Sequence, residues 1–255
     1  MQVVADTHVH LYDCYDMDAA LQRLSQRLAS FGNDTTHLAA CLTERSACHV
    51  FKTLRDGTVS LPAYDVSVGD DSAVLKLRGQ HTLNLYSGFQ VITKERLEVL
   101  ALVCATRIAD GQDLDETIAA VRAAGGIPIL PWSPGKWSGS RGEAIKRVLT
   151  NAKTGDLCIG DTAMRPAGAP QPGLFKLAHQ KSISCLAGTD PLPFASDENI
   201  MGTYISAWDS KSEQQIVTTD HFRDLLANNT PQTRGKRNNV VQSARRWVQN
   251  QRSKA

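Results

Sequence analysis

Short apolar runs alternate with amphipathic segments along most of the chain. Residues 3–11 read as the first strand, a short apolar run, Val3-Val4-Ala5, that leads into two histidines. Residues 18–31 follow with Ala19, Leu21, Leu24 and Leu28 on one helical stripe, closed by Gly32-Asn33-Asp34. His37–Leu42 reads as a second strand that ends at Thr43-Glu44-Arg45. Further on, 97–104, 127–131, 157–160 and 184–188 read as buried strands, and 114–124, 141–149 and 174–180 as helices. Asp110 or Asp113 is placed to cap the first of these helices, and Gly125-Gly126 to stop it. Strands alternating with helices predict a parallel sheet with crossover helices.

Residues 51–96 break that rhythm. Runs at 58–67, 73–77 and 82–92 are separated by Asp-Gly, Gly-Asp-Asp and Arg-Gly turns, which predicts an antiparallel insertion. Residues 212–228 read as at least partly helical, with Asp220 as a cap and His221 on the surface. A last amphipathic helix is expected over 239–251, its apolar face made of Val240, Val241, Ala244, Trp247 and Val248. The chain thus divides into an α/β body, 1–228, with the insertion at 51–96, and a basic helical tail, 229–255. No internal repeat is visible.

Composition adds constraints rather than a fold. With 42% hydrophobic and 21% charged residues, the 255-residue chain is ordinary for a globular protein. No run is long enough to span a bilayer and no basic, apolar leader opens the chain, so neither a membrane span nor a secretory signal is expected. Six cysteines occur without a CxxC pair, and Cys41, Cys104, Cys158 and Cys185 lie in apolar runs. That usage fits a reducing, cytoplasmic setting. The net charge of +2 conceals an asymmetry: seven of the 28 basic residues and no acid follow Asp224, which leaves 21 against 26 acids up to and including it. Such a tail suits nucleic acid or an anionic surface. The favoured expectation is a helix docked on the body with Trp247 buried and its arginines in solvent.

The chemistry gathers at strand ends. His8 and His10 are spaced i, i+2, which on a strand puts both imidazoles on one side. Two neutral imidazoles leaving one strand make half of a transition-metal site. Glu44, Asp161 and Asp190 stand at the ends of later strands. The loop 133–142, rich in Gly and Ser and carrying Lys136 and Arg141, lies between a strand and a helix, where backbone N–H groups and the dipole can hold an anion. Arg165, just after Asp161, is expected to face the same mouth, and its fork suits phosphate.

In this order the features resemble the PHP (polymerase and histidinol phosphatase) metal-dependent phosphoesterases. Asp6-Thr7-His8-Val9-His10 resembles the family's opening D-x-H-x-H, Ser87-Gly88-Phe89-Gln90-Val91 its P-G-x-E-x strand end, residues 113–130 its helix, double glycine and strand, and Leu186-Ala187-Gly188-Thr189-Asp190 its late G-S-D. The resemblance implies a distorted, TIM-like (β/α)7 barrel of PHP type, and hydrolysis of phosphoesters at a site of up to three metals. The wider amidohydrolase group, TatD-like nucleases included, shares the opening H-x-H and the closing Asp. Four departures bear on the site: Gln90 replaces a Glu, Glu44-Arg45 an Asp-His, Trp132 a His, and Asp190-Pro191-Leu192 an Asp-x-His. Trp and Leu cannot ligate and an amide ligates poorly, so a full trinuclear site is excluded.

What remains is one divalent ion, Zn or Mn, on His8, His10 and Asp190, with Glu44 or Asp161 as general base or further ligand. Asp6 is expected to hold a ligating histidine or to cap a turn. Lys136, Arg141 and Arg165 would hold a small anionic, phosphorylated substrate. Two other functions fit the same residues: a degenerate barrel that serves as a binding scaffold, and a TatD-like nuclease.

Overall fold

The computed structural model describes residues 1–209 and 217–252, the last two by backbone alone. Its first half contains β1 (Gln2–Val9), α1 (Met17–Ser30), β2 (His37–Leu42), α2 (Val50–Arg55), β3 (Asp65–Val68), β4 (Val74–Arg78), β5 (Thr82–Tyr86), β6 (Gly88–Ile92) and β7 (Glu98–Leu102). Then come α3 (Leu114–Ala123), β8 (Ile127–Pro131), α4 (Gly139–Asn151), β9 (Cys158–Thr162), α5 (Gly173–Gln180), β10 (Cys185–Gly188) and a 3-10 turn (Ala195–Ile200). β11 (Tyr204–Asp209), α6 (Thr219–Asn228), β12 (Gln232–Gly235) and α7 (Val240–Arg252) close the chain.

The helices form where sequence places their signals. Asp16 caps α1 by accepting from the Ala19 N–H, and the stripe Leu21, Leu24 and Leu28 is buried. Asp113 and Glu116 make a reciprocal capping box on α3. In α6 the cap is Thr218, which accepts from the His221 N–H; Asp220 instead pairs with Arg223 one turn on. Of the expected 212–228 segment, residues 212–216 lie outside the described residues.

Two sheets result, ordered β12-β11-β1-β2-β5-β4-β3 and β10-β9-β8-β7-β6. β1 and β2 pair in parallel, as do β8, β9 and β10. The insertion is antiparallel across β3, β4 and β5, and β6-β7-β8 is antiparallel as well. Several details depart from expectation. Residues 50–55 are a helix, and of the expected 58–67 strand only 65–67 are extended, within β3. β11, which no expectation included, lies antiparallel to β1, and β12 pairs with it, so residues 232–235 complete the larger sheet.

The sheets meet at two seams. At one, the Asp190 N–H donates to the His8 carbonyl at 2.9 Å and the Thr7 hydroxyl to the Ala187 carbonyl at 3.1 Å, laying β10 beside β1. At the other, Glu44 bridges in parallel to Phe89, joining the end of β2 to β6. A glycine stands at each approach: a Cβ on Gly188 would lie 2.5 Å from the His8 backbone nitrogen, and one on Gly88 2.4 Å from the Leu42 carbonyl oxygen. The strand ladders themselves are two sheets, not a continuous hydrogen-bonded ring. Between them lies a core of Val3, Ala5, Ala39, Cys41, Leu100, Ile129, Cys158 and Leu186. Separate layers bury α1 against the larger sheet and α3, α4 and α5 against the smaller.

β1 carries an irregularity that positions the site. Asp6 is level with Ala40 of β2 but Val9 with Leu42, so β1 holds one extra residue between them. Before it, Val3 and Ala5 point to the inner core while Val4 points to the α1 layer; after it, the odd-numbered Val9 points to the α1 layer. The bulge therefore turns His8 and His10 to the inner side, a known use of bulges beside functional sites.

The tail docks the opposite way round from expectation. Arg246 and Ser243 are buried, whereas Val240, Val241, Trp247 and Val248 are exposed, Trp247 by 47%. The buried arginine is paired with Asp197, and this ionic anchor, not an apolar face, sets the orientation of α7.

Candidate metal centre

The three expected ligands converge. The His8 and His10 Nε2 atoms lie 3.1 Å apart, and Asp190 Oδ1 lies 3.4 Å from the first and 3.7 Å from the second. Among the described residues this is the group of three whose donor atoms fall within 4.8 Å of one another. A tetrahedral ion with bonds of about 2.0–2.2 Å spaces its ligand atoms roughly 3.3 Å apart, so the triangle has the size such an ion needs. Burial lowers the pKa of His8 to about 4 and of His10 to about 3. Both imidazoles are therefore neutral at physiological pH, with lone pairs available. Two imidazoles and a carboxylate are a donor set for zinc or manganese.

The backbone around the ligands is fixed by Asp6. Its Oδ1 accepts from the His8 N–H at 3.2 Å and the Thr189 N–H at 2.9 Å, and its Oδ2 from the Gly202 N–H at 2.9 Å and from the Thr189 hydroxyl. Asp6 thus touches no imidazole; it ties together the two strand ends that carry the ligands. Burial pushes its pKa up to about 7.

The triangle opens on a cavity of about 350 Å³, lined in part by His10, Tyr12, Arg45, Gln90, Glu98 and Lys136, and by Asp190 and Trp247. Lys136 Nζ pairs with Glu98 Oε1 at 2.6 Å, and Gln90 Nε2 donates to the same oxygen at 3.1 Å. Tyr12 stacks on the His10 ring with centroids 5.6 Å apart.

Of the other expected site residues, Lys136 reaches this cavity and four do not line it. Glu44 is buried with Oε1 accepting from the Phe51 N–H at 2.7 Å, at the start of α2, and Oε2 facing Arg107 at 3.5 Å. Asp161 and Arg165 are spent on each other in a buried bidentate pair, at 2.7 and 2.5 Å, and Tyr204 donates to Asp161 as well at 2.7 Å. Arg165 does not face the mouth as expected, because a buried carboxylate four residues back holds its fork. Arg141 turns back on its own loop, donating to the Gly135 carbonyl at 2.9 Å. Arg45, Glu98 and Trp247 line the cavity although none was expected to form the site. Glu98 lay within an apolar strand and Arg45 stood where a ligand was missing, so neither carried a motif of its own.

No protein-family model matches the chain, and no curated protein does. Solved structures do. PsfC from Pseudomonas syringae PB-5123 is similar over 97% of this chain and 96% of its own, with a TM-score of 0.63 at 19% identity. A two-domain protein from Bacteroides vulgatus ATCC 8482, described as containing a predicted PHP-like metal-dependent phosphoesterase, is similar over 92% of this chain, with a TM-score of 0.52 at 12% identity. The fold is PHP-like. The lesion-specific endonuclease PfuEndoQ from Pyrococcus furiosus shares this PHP-like fold over 89% of the chain, with a TM-score of 0.52 at 13% identity. The chain spans 56% of the endonuclease and 65% of the two-domain protein. Against the PHP pattern, Gln90 and Leu192 stand at the cavity wall, the first offering only a weakly ligating amide oxygen and the second no ligating atom, and Trp132 packs beside the core of the smaller sheet.

Proposed function

We propose that the chain is a metal-dependent hydrolase of small anionic esters, phosphoesters foremost. The observation that carries this reading is the triangle of His8, His10 and Asp190 opening on a cavity that also presents Arg45 and Lys136. A divalent ion held there supplies Lewis acidity and brings the pKa of a bound water toward ~7. Arg45 and Lys136 bind the anionic group of the substrate. Glu98, whose Oε1 is held by Lys136 and Gln90, is the carboxylate placed to accept a proton, since it lines the cavity and Glu44 and Asp161 do not. The same reading takes β1, β2 and β6 to β10 as the seven strands of a distorted barrel parted at its two seams.

Metal content of protein purified without added metal, with hydrolysis of generic phosphomonoesters and phosphodiesters under Zn, Mn and Mg, tests the reading. The expected result is about one ion per chain, lost in His8→Ala together with hydrolysis. Metal content that His8→Ala leaves unchanged refutes it. The weakly ligating Gln90 and the non-ligating Trp132 and Leu192 favour one second reading, a PHP-like scaffold without catalysis. That reading gains if metal binds but no ester is cleaved. Cleavage of DNA instead of small esters moves the function toward that of the endonuclease.

A further inference from the structure

α7 reaches the metal triangle from the other end of the chain. Arg246, buried, donates through Nε and Nη2 to Asp197 Oδ2 at 3.1 and 2.5 Å. Its Nη2 also donates to the backbone carbonyl of Asp190 at 3.2 Å. The same Asp197 oxygen accepts from the Leu192 N–H at 2.8 Å. One guanidinium and one carboxylate thus clamp residues 190–192 from both sides.

The clamp sits where the backbone needs it. Asp190 has φ +53°, in the left-handed region, which most residues with a Cβ avoid and Asp enters more readily when its surroundings hold it there. Its N–H is held by the His8 carbonyl at 2.9 Å, and its carbonyl by Arg246. Freed of the second contact, the peptide after Asp190 can relax and carry the carboxylate off the triangle. Trp247, next to Arg246 in sequence, and Asn250, one turn of helix on, stand on the cavity wall.

We infer that Arg246 is a positioning residue for Asp190, and that α7 is part of the metal centre rather than an appended tail. The inference rests on the metal reading above. Because the contact joins metal ligand and helix, coupling runs both ways: a bound ion holds α7 down, and a docked α7 tightens the ion.

The test measures zinc affinity by competition with a chromogenic chelator, cobalt absorption, and tryptic cleavage of α7 with and without zinc, on the full chain. Arg246→Met is expected to weaken zinc binding by about 10- to 100-fold and to shift the cobalt bands. Arg246→Lys keeps the charge opposite Asp197 but not the fork, and falls between Arg246→Met and the native chain. In the native chain zinc slows cleavage within α7, and in Arg246→Met it does not. If Arg246→Met binds zinc as tightly as the native chain with an unchanged cobalt spectrum, Arg246 is only an anchor and the inference is overturned. A native chain that binds no zinc, manganese or cobalt fails earlier, and removes the metal reading and this inference together.

Discussion

At the scale of single residues, burial decides which charges the molecule tolerates. His37, at the start of β2, sits against Tyr86 and Phe222 and accepts or donates at 3.1 Å with the Tyr86 hydroxyl. Burial lowers its pKa from 6.5 to about 4. The unfolded chain binds a proton at this site below about pH 6.5, while the folded chain refuses it until about pH 4. Stability is therefore lost as pH falls through that window, and is fully present above it. The loss is on the order of 3 kcal/mol over the full window. Urea titrations of the metal-free chain at pH 7 and pH 5 check this, and His37→Gln is expected to reduce the difference without abolishing it, since the buried His8 and His10 act in the same direction; a difference that His37→Gln leaves unchanged removes His37 from the account. His8 and His10 were readable from their spacing because alternation on a strand is rigid. The bulge that turns them inward was not readable, since an extra residue in β1 leaves no mark except against its partner strand.

At the scale of elements, the seam between β1 and β10 sets the distance between the ligands. Gly188 permits it: a Cβ there would meet the His8 backbone nitrogen and Cβ, both at 2.5 Å. Gly188→Ala must part the two strands, and with them His8 from Asp190. A destabilisation of about 1–3 kcal/mol is expected, together with weaker zinc binding. Thermal unfolding with and without zinc separates the two effects. A mutant that loses stability yet retains full zinc affinity would show that the ligands follow their strands less closely than the seam implies. α7 marks the limit of what periodicity tells. Its spacing correctly grouped Val240, Val241 and Val248 on one face, but not which face turns inward. Arg246 decides that, and an ion pair to a carboxylate 49 residues away has no local signature.

At the scale of the molecule, alternating runs made an α/β fold legible, and the strand ends gave the metal triangle. The second half of the site was hidden because it depends on where distant loops meet. Asp161 and Arg165, four residues apart and plausible in sequence, neutralise each other, whereas Arg45 and Lys136, far apart in sequence, line one cavity.

The charge of that cavity gives the last prediction. Arg45 and Lys136 face Glu98, Asp110 and Asp190, so without a cation the wall is net negative and repels a phosphate. A divalent ion reverses the sign. Inorganic phosphate is therefore expected to bind to the zinc- or manganese-loaded chain and about tenfold or more weakly in chelator, as read by isothermal titration. Arg45→Ala is expected to cost about tenfold in phosphate affinity, the worth of one charge-assisted hydrogen bond, while leaving zinc affinity unchanged. The exposed Arg245 and its neighbours in α7 offer a competing, metal-independent surface for anions, and salt distinguishes the two. Binding at an exposed face falls steeply as salt screens it, whereas binding between an enclosed ion and Arg45 falls less. Equal phosphate binding with and without metal, abolished by salt, places the anion on the tail and leaves the cavity without a role in recognising it.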